Sequence, residues 1–282
     1  MTTIVIKVGG GEGIELGPIL DEFAQLVKAG TRAVLVHGGS HETNVISTRL
    51  GHPPTFIKSP SGHESRRTDR ETLDIFKMIY CGKVNKSIVE HLQSSGINAV
   101  GLSGIDGGLW MGKRKTAIRA VDDEGRTTII RDDFSGKVES ADASLLDLLL
   151  DSGRTPVLTP PALADDGNGG RVAINVDADR AAAVTAAAIG ADELLLLSNV
   201  PGVLADPSDR STLIRSANDA GIKNVRTAAG GRMKNKVLAA EEAIIGGVAR
   251  AIIGSANGPV PIAAARAGAG TVFQSLMNGT TA

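Results

Sequence analysis

Rings are scarce in this chain: aromatic residues make up 2% of its 282 positions, with one Trp and one Tyr. A core so poor in rings has to be assembled from Val, Ile, Leu and Ala, a composition that suits buried parallel strands covered by helices. The scarcity also leaves little for base stacking, and a formal net charge of -1 gives no global attraction for nucleic acid. Cys81 is the one cysteine; it excludes an intramolecular disulfide framework and a Cys-based zinc cluster, and it reads as a small buried hydrophobe. Apart from His37 the histidines are scattered, so no metal site is expected. No apolar run is long enough to span a bilayer, and strand-like sequence starts almost at Met1, leaving no room for a signal peptide. A cytoplasmic protein without membrane contact is the expectation.

What is present begins with Thr3-Ile4-Val5-Ile6-Lys7-Val8-Gly9-Gly10-Gly11, an apolar run that carries one lysine into three glycines. Period-2 geometry puts Val5, Lys7 and Gly9 on one side and Ile4, Ile6 and Val8 on the other. The ammonium then stands near the C-terminal end of the strand, where open α/β sheets keep their ligands. Glycines there let backbone N–H groups approach an anion closely. Lysine and loop together read as a phosphate site; taken alone, they read equally as a strand lysine reaching the sheet edge beside glycines that only turn the chain.

The first 50 residues alternate strand and helix. Ile19, Phe23, Leu26 and Val27 recur at helical spacing up to Gly30, and Ala33-Val34-Leu35-Val36 forms a second buried strand. That strand ends in His37-Gly38-Gly39-Ser40, a second glycine loop entering a helix from about His41. Pro53 to Thr68 reads as a loop or hairpin, and a long helix follows from Asp69 through Ile88 to Leu92. Further strands are expected at Ala99 to Gly101 and Pro156 to Thr159, with Trp110 to Arg131 as a hairpin insertion on the rim and Asp142 to Leu150 as a helix. After Pro160-Pro161 the chain turns Gly- and Asp-rich, which sets a lobe boundary between an N-terminal lobe, 1–165, and a C-terminal lobe, 166–282. The second lobe reads as an alanine-rich helix at Ala181 to Ala188 and a strand from Glu193 to Leu197 ending in Ser198-Asn199. A helix from Lys236 to Gly246, a strand at Ala251 to Gly254 and an edge strand at Gly268 to Phe273 follow, and Ser275 to Ala282 reads as a frayed tail.

Several polar residues stand out. Arg66 offers a planar fork for a carboxylate. Asn175 and Asp179 lie four residues apart, and Gly231-Arg232-Met233-Lys234-Asn235-Lys236 brings two lysines to a helix start. By residue type alone, Asn175 reads as a turn residue and Asp179 as a helix cap. His37 reads as a satisfied strand-end histidine without a proton-transfer role, and Lys234 as a surface residue.

The pieces Lys7-Val8-Gly9-Gly10, His37-Gly38-Gly39, Arg66-Arg67-Thr68-Asp69-Arg70-Glu71-Thr72, Asn85-Lys86, Asn175-Val176-Asp177-Ala178-Asp179, Leu197-Ser198-Asn199-Val200-Pro201-Gly202-Val203 and Met233-Lys234-Asn235-Lys236 span nearly the whole chain. In that order they resemble the amino acid kinase family, and within it the acylglutamate kinases. The resemblance implies an α/β fold of two lobes, a mainly parallel open sheet sandwiched by helices, with acceptor binding and dimerisation in the first lobe and ATP binding in the second. It implies phosphoryl transfer from ATP, with Mg2+ carried in on the nucleotide, to a side-chain carboxylate. Lys7 and Lys236 would flank the moving phosphoryl group and Asp179 would orient both. Gly9, Gly10, Gly11, Ser198 and Asn199 would meet the nucleotide phosphates. Gly38, Gly39 and Asn175 would hold the amino acid end of the acceptor, and Arg66 its α-carboxylate.

Two stretches resemble the branch of the family that phosphorylates aminoadipate or glutamate while its amino group is attached to a small acidic amino-group carrier protein. They are Ser59 to Thr72 and Gly112-Lys113-Arg114-Lys115-Thr116-Ala117. Charge agrees: Lys113, Arg114, Lys115 and Arg119 form a cluster with no acid inside it, which suits an acidic partner through steering and complementarity. Lys113, Arg114 and Lys115 are the expected carrier-docking residues, with a solvated face as the plain alternative. The other acceptor left open is free N-acetylglutamate, as in arginine synthesis. A homodimer is the expected assembly.

Overall fold

The computed structural model describes residues 1–274 apart from Ser61, His63, Asp122, Asp123, Asp219 and Ala220; the stretch 275–282, read above as a frayed tail, lies outside the described residues, as do two positions of the Ser59 to Thr72 stretch. A seven-stranded sheet runs in the order Gly270–Gln274, Arg250–Ser255, Glu193–Ser198, Thr3–Val8, Arg32–His37, Thr155–Thr159, Ala99–Ser103. Its pairings are parallel except for the edge strand Gly270–Gln274. Strands from both sides of residue 165 thus share one sheet, and Thr3–Val8 lies at its centre.

The alternation read in the sequence decides which helices cover which face. Val5, Val36, Leu196 and Ile253 join the core with the helices Ala143–Asp151, Ala178–Ala188 and Met233–Ile245. Ile4, Ile6, Leu35 and Leu197 join the core with Leu16–Lys28, Asn85–Ser94 and Pro261–Arg266. Each fully buried Val, Leu or Ile contributes about 1.5–3 kcal/mol, so a core with few rings is sufficient. Lys7 shares the face of Val5, and the helix Ala178–Ala188 packs over that strand. Asp177 caps this helix by accepting from the Arg180 N–H at 3.0 Å, which places Asp179 in its first turn, where the helix dipole favours an acid.

Three expectations need correction. The long helix from Asp69 is α-helical over Arg70–Lys77, opens into a π-helical turn over Met78–Val84, and resumes as α-helix over Asn85–Ser94. The wider turn points both Ile79 and Tyr80 inward and leaves Met78 exposed. Trp110–Arg114 is not part of a rim hairpin. It is an inner strand of a second sheet, between Ala162–Asp165 and Gly136–Ala141, because the Trp110 ring is fully buried and its indole N–H donates to Thr185 Oγ1 at 2.9 Å. Within that stretch Ile118–Val121 and Thr127–Ile130 pair as a hairpin, and they join the hairpin Phe56–Lys58 and Glu64–Arg66 in a third sheet. Finally, Cys81 is half-buried rather than a core residue, its thiol 3.8 Å from the Pro160 carbonyl.

Candidate active site

The two glycine loops meet at the C-terminal edge of the main sheet, backbone against backbone. The Gly38 N–H donates to the Val8 carbonyl at 3.0 Å, and the His41 N–H to the Gly10 carbonyl at 2.8 Å. A Cβ on Gly10 would lie 2.1 Å from the Gly39 nitrogen, so this contact requires glycine. A buried prop sits beneath the second loop. His37 stands between the Gly38 carbonyl, 2.9 Å from Nδ1, and the Asn85 amide, 3.1 Å from Nε2. Burial lowers the imidazole pKa to about 4, so the ring is neutral and its Nδ1 carries the proton that Gly38 accepts. Lys86 completes the prop by donating to the Gly101 carbonyl at 3.1 Å.

Beside the loops one carboxylate meets two ammonium groups. Asp179 Oδ1 lies 2.6 Å from Lys7 Nζ, and its Oδ2 accepts from Lys236 Nζ at 2.8 Å. Lys7 and Asp179 are each only 5% exposed, so burial matters for both. Burial alone would raise the Asp179 pKa, but the charges of Lys236 and Lys7 outweigh it and hold the carboxyl well below the usual range. Burial, with help from the Lys236 charge, pulls the Lys7 ammonium below its ordinary value against the opposing pull of Asp179. The helix carrying Lys236 is fastened to the helix carrying Asp179 by two polar staples. Asn235 donates to Asp177 at 2.9 Å, and Arg180 clasps Glu242 through two nitrogens, Nε at 2.9 Å and Nη2 in closer contact.

A cleft of about 600 Å³ opens over this trio and runs toward Arg66. The guanidinium of Arg66 donates through Nη2 to Asn44 Oδ1 and, at 3.4 Å, to the Ser40 carbonyl, and it stacks over Phe56. Its Nη1 is buried and has no partner among the described residues, which leaves one arm of the fork for a ligand. Ser198 Oγ, in the same cleft, is likewise buried without a partner. Asn175 donates to Thr68 Oγ1 at 3.1 Å, and Thr68 is tied further by its N–H to the buried Asp133 at 2.8 Å and by its carbonyl to the Phe134 N–H at 2.6 Å.

Of the residues singled out in the sequence, Lys7, Gly9, Gly10, Gly11, Gly38, Arg66, Asn175, Asp179, Ser198, Asn199 and Lys236 all line this one cleft. Gly39 sits just behind it, where a Cβ would press on the Tyr80 ring at 3.1 Å. The basic cluster is divided. Lys115 lines the cleft and Lys113 is exposed on its strand, whereas Arg114 turns the other way, donating to the Asp133 carbonyl at 2.8 Å with its guanidinium 4.1 Å from the Phe134 ring centroid. Sequence reasoning missed Tyr80, Asp133 and Arg232. Tyr80 lines the cleft, stacked on Phe76 at 3.8 Å, and burial pushes its pKa up to about 12. Its signal was weak, since only the π-helical turn brings it inward. Arg232 stood inside a quoted motif without a role, and it lines the same cleft.

Comparison with known proteins agrees with this geometry. The family model described as "Amino acid kinase family" matches residues 2–255. The chain is 52% identical over 271 residues to "[LysW]-aminoadipate kinase" of Deinococcus radiodurans, covering 95% of this chain and 90% of that protein. It is 49% identical to the Thermus thermophilus protein of the same name, covering 96% and 100%. Among solved structures, an N-acetylglutamate synthase from Neisseria gonorrhoeae superposes with a TM-score of 0.72 at 22% identity. That match takes in 97% of this chain, which spans 59% of the synthase, and it speaks for the fold alone. With the paired glycine loops, the doubly held Asp179 and these full-length matches together, the chain belongs to the amino acid kinase family.

Proposed function

We propose that this chain transfers the γ-phosphoryl group of ATP to the side-chain carboxylate of 2-aminoadipate, the acceptor's amino group being attached to an acidic amino-group carrier protein. The Deinococcus and Thermus relatives bear names for that activity. Within this chain the reading rests on one observation: a single carboxylate, Asp179, presents two ammonium groups to a glycine-lined cleft that also holds the open arm of Arg66.

The chemistry follows from charge. An oxygen of the acceptor carboxylate attacks the γ-phosphorus, a P–O bond forms, and the bond to the β-phosphate oxygen breaks with its electron pair leaving on ADP. The carboxylate is already ionised at neutral pH, so no proton has to be removed and no general base is needed; the neutral, buried His37 is consistent with that. The obstacle is repulsion between two anions, worth about 4 kcal/mol for unit charges 4 Å apart at an effective dielectric of 20. Lys7 and Lys236 offset it from two sides, and the N–H groups of the glycine loops add fixed donors. Magnesium fits here as a passenger on the nucleotide phosphates: both oxygens of Asp179 already face ammonium groups, and no group of three His, Cys, Asp or Glu gathers among the described residues. When bound it shields phosphate charge.

In this reading residues 1–165 form the acceptor-binding lobe, which also pairs with a second copy as a homodimer, and 166–282 form the ATP-binding lobe; Asn175 and Asp179 sit where the two meet. Lys113 and Lys115 face the acidic carrier. No helix among the described residues is long and apolar enough to cross a membrane, and we place the reaction in the cytoplasm. The deciding experiment supplies ATP with carrier-linked aminoadipate, carrier-linked glutamate and free N-acetylglutamate, and traps the acyl phosphate with hydroxylamine. Preferred turnover of carrier-linked aminoadipate is expected, with efficiency falling as salt rises. Better turnover of free N-acetylglutamate replaces the carrier reading with the arginine-pathway kinase.

A further inference from the structure

The π-helical turn Met78–Val84 puts Tyr80 and Asn85 where an α-helix could not. At 3.6 residues per turn, side chains five positions apart point about 140° away from each other, whereas an i→i+5 turn returns them to one side. Both residues are buried, and both reach the second glycine loop. Tyr80 lies against Gly39, where an added Cβ would meet the ring at 3.1 Å, and Phe76 backs the ring by stacking at 3.8 Å. Asn85 reaches the same loop through His37.

Each donor along that second route is fixed. Lys86 Nζ can only donate, and it gives to Asn85 Oδ1 at 3.2 Å. The Asn85 amide nitrogen therefore faces the Val157 carbonyl, at 3.0 Å, and His37 Nε2, which accepts. His37 Nδ1 keeps the proton and donates to the Gly38 carbonyl. A planar trans peptide then sends the Gly39 N–H to the opposite side from that carbonyl. Backbone pairing uses the rest of the loop: the Gly38 N–H donates to Val8, and the Gly39 carbonyl accepts from the Thr43 N–H at 2.9 Å and from Thr43 Oγ1 at 2.8 Å. The Gly39 N–H meets no backbone carbonyl among the described residues; it lies toward the Tyr80 phenol, whose pKa burial raises and this hydrogen bond lowers.

We propose that Tyr80 and Asn85 are positioning residues for the acceptor: from one π-helical turn, Tyr80 sets the place of the Gly38–Gly39 peptide and Asn85, through His37, sets its direction. The inference rests on the proposed reading that this loop holds the amino acid end of the acceptor. An extra residue in a helix is thereby tied to the geometry of a loop about 40 positions earlier in the chain.

The test compares two replacements of His37 that each keep half of its contacts. His37→Gln places an amide nitrogen where Nε2 stood, within reach of Asn85 and away from Gly38; His37→Asn places one where Nδ1 stood, within reach of the Gly38 carbonyl and away from Asn85. Kinetics use whichever of carrier-linked aminoadipate, carrier-linked glutamate and free N-acetylglutamate the unmodified protein turns over best. His37→Gln and Asn85→Ala should each raise the acceptor KM about tenfold with the ATP KM within about twofold, and His37→Asn should recover most of the acceptor KM. Tyr80→Leu should raise the acceptor KM as well, and Tyr80→Phe, which keeps the ring, should recover part of it. A purely structural role would make KM follow thermal stability in both His37 variants; equal acceptor KM values in them, or an ATP KM that rises as much, would overturn the proposal. A second measurement needs no substrate: amide hydrogen exchange at Gly39, followed by NMR, should speed up at least about tenfold in Asn85→Ala and in Tyr80→Leu, and unchanged exchange in both overturns the hold on the loop. Failure to turn over any of the three acceptors ends the proposed function, and the exchange rates still decide whether the helix holds the loop.

Discussion

The backbone N–H of Thr68 donates to the carboxylate of Asp133 at 2.8 Å across 65 residues of sequence, and Asp133 is fully buried. Its other oxygen accepts from the Ser135 N–H at 2.7 Å, so one side chain pins two segments. Thr68 lies two residues after Arg66 and holds Asn175, which, in the proposed reading, would make Asp133 a positioning residue for the acceptor-binding side. Asp133→Ala should raise the acceptor KM about tenfold while kcat falls less, and the lost buried hydrogen bonds should cost about 1–3 kcal/mol of stability. Asp133→Asn, which keeps one accepting oxygen, should recover part of the KM. A variant that loses stability with an unaltered acceptor KM would make Asp133 purely structural.

Lys7 and Lys236 are expected to behave alike in rate, while the stability cost falls on Asp179. In the proposed reading, replacing either by Met would remove a preorganised donor to the transferring phosphoryl group, with an expected loss of about 10²–10³ in kcat. Asp179→Ala removes the carboxylate from between two cations and leaves the buried Lys7 uncompensated, a change in the class that costs about 3–5 kcal/mol. Thermal unfolding should therefore rank Asp179→Ala below Lys236→Met, whose Asp179 keeps Lys7 as a partner.

His37 gives stability a pH dependence with a definite sign. Its folded pKa of about 4 lies below the ordinary 6.5, so the unfolded chain binds the extra proton between those values and stability falls as pH drops through that window. A shift of this size corresponds to about 3 kcal/mol once the pH is below the folded value. Asp179, held lower still, adds its loss only in stronger acid. Denaturant unfolding from pH 7 to pH 4 should show a shallower decline in His37→Gln than in the parent.

The clasp between Arg180 and Glu242 should affect rate through the placement of Lys236. Arg180→Gln and Glu242→Gln are each expected to lower kcat about threefold to tenfold with little change in either KM. A double-mutant cycle should give a coupling of about 0.5–3 kcal/mol. Additive effects would mean that the two helices hold their register without the clasp.

Much of this arrangement was legible because it is local. The alternation of Ile4, Ile6 and Val8 against Val5 and Lys7 assigned both faces of the central strand, and the glycine runs marked the edge where ligands gather. The double grip of Asp179 on Lys7 and Lys236 came from resemblance, since a carboxylate at a helix start reads as a cap unless its spatial neighbours are known. Trp110 was misplaced because a strand with Lys113 and Arg114 looks like a rim, and nothing within it reveals that Thr185 waits for the indole N–H. Asp133 acts through a partner far away in sequence, Thr68, where periodicity carries no information.

The strand that holds Lys7 is translated early and finished late. Arg32–His37, the partner along one of its edges, follows early in the chain, but the other edge waits for Glu193–Ser198, and the Thr3 N–H reaches the Asp192 carboxylate across 189 residues. Until then the nascent chain carries an open strand edge of Ile and Val, a template for pairing with another molecule. Closing so long a loop makes the centre of the sheet a slow, end-of-synthesis event. A ribosome that stalls before Glu193 therefore leaves a sticky fragment with one of the two ammonium groups and no active enzyme.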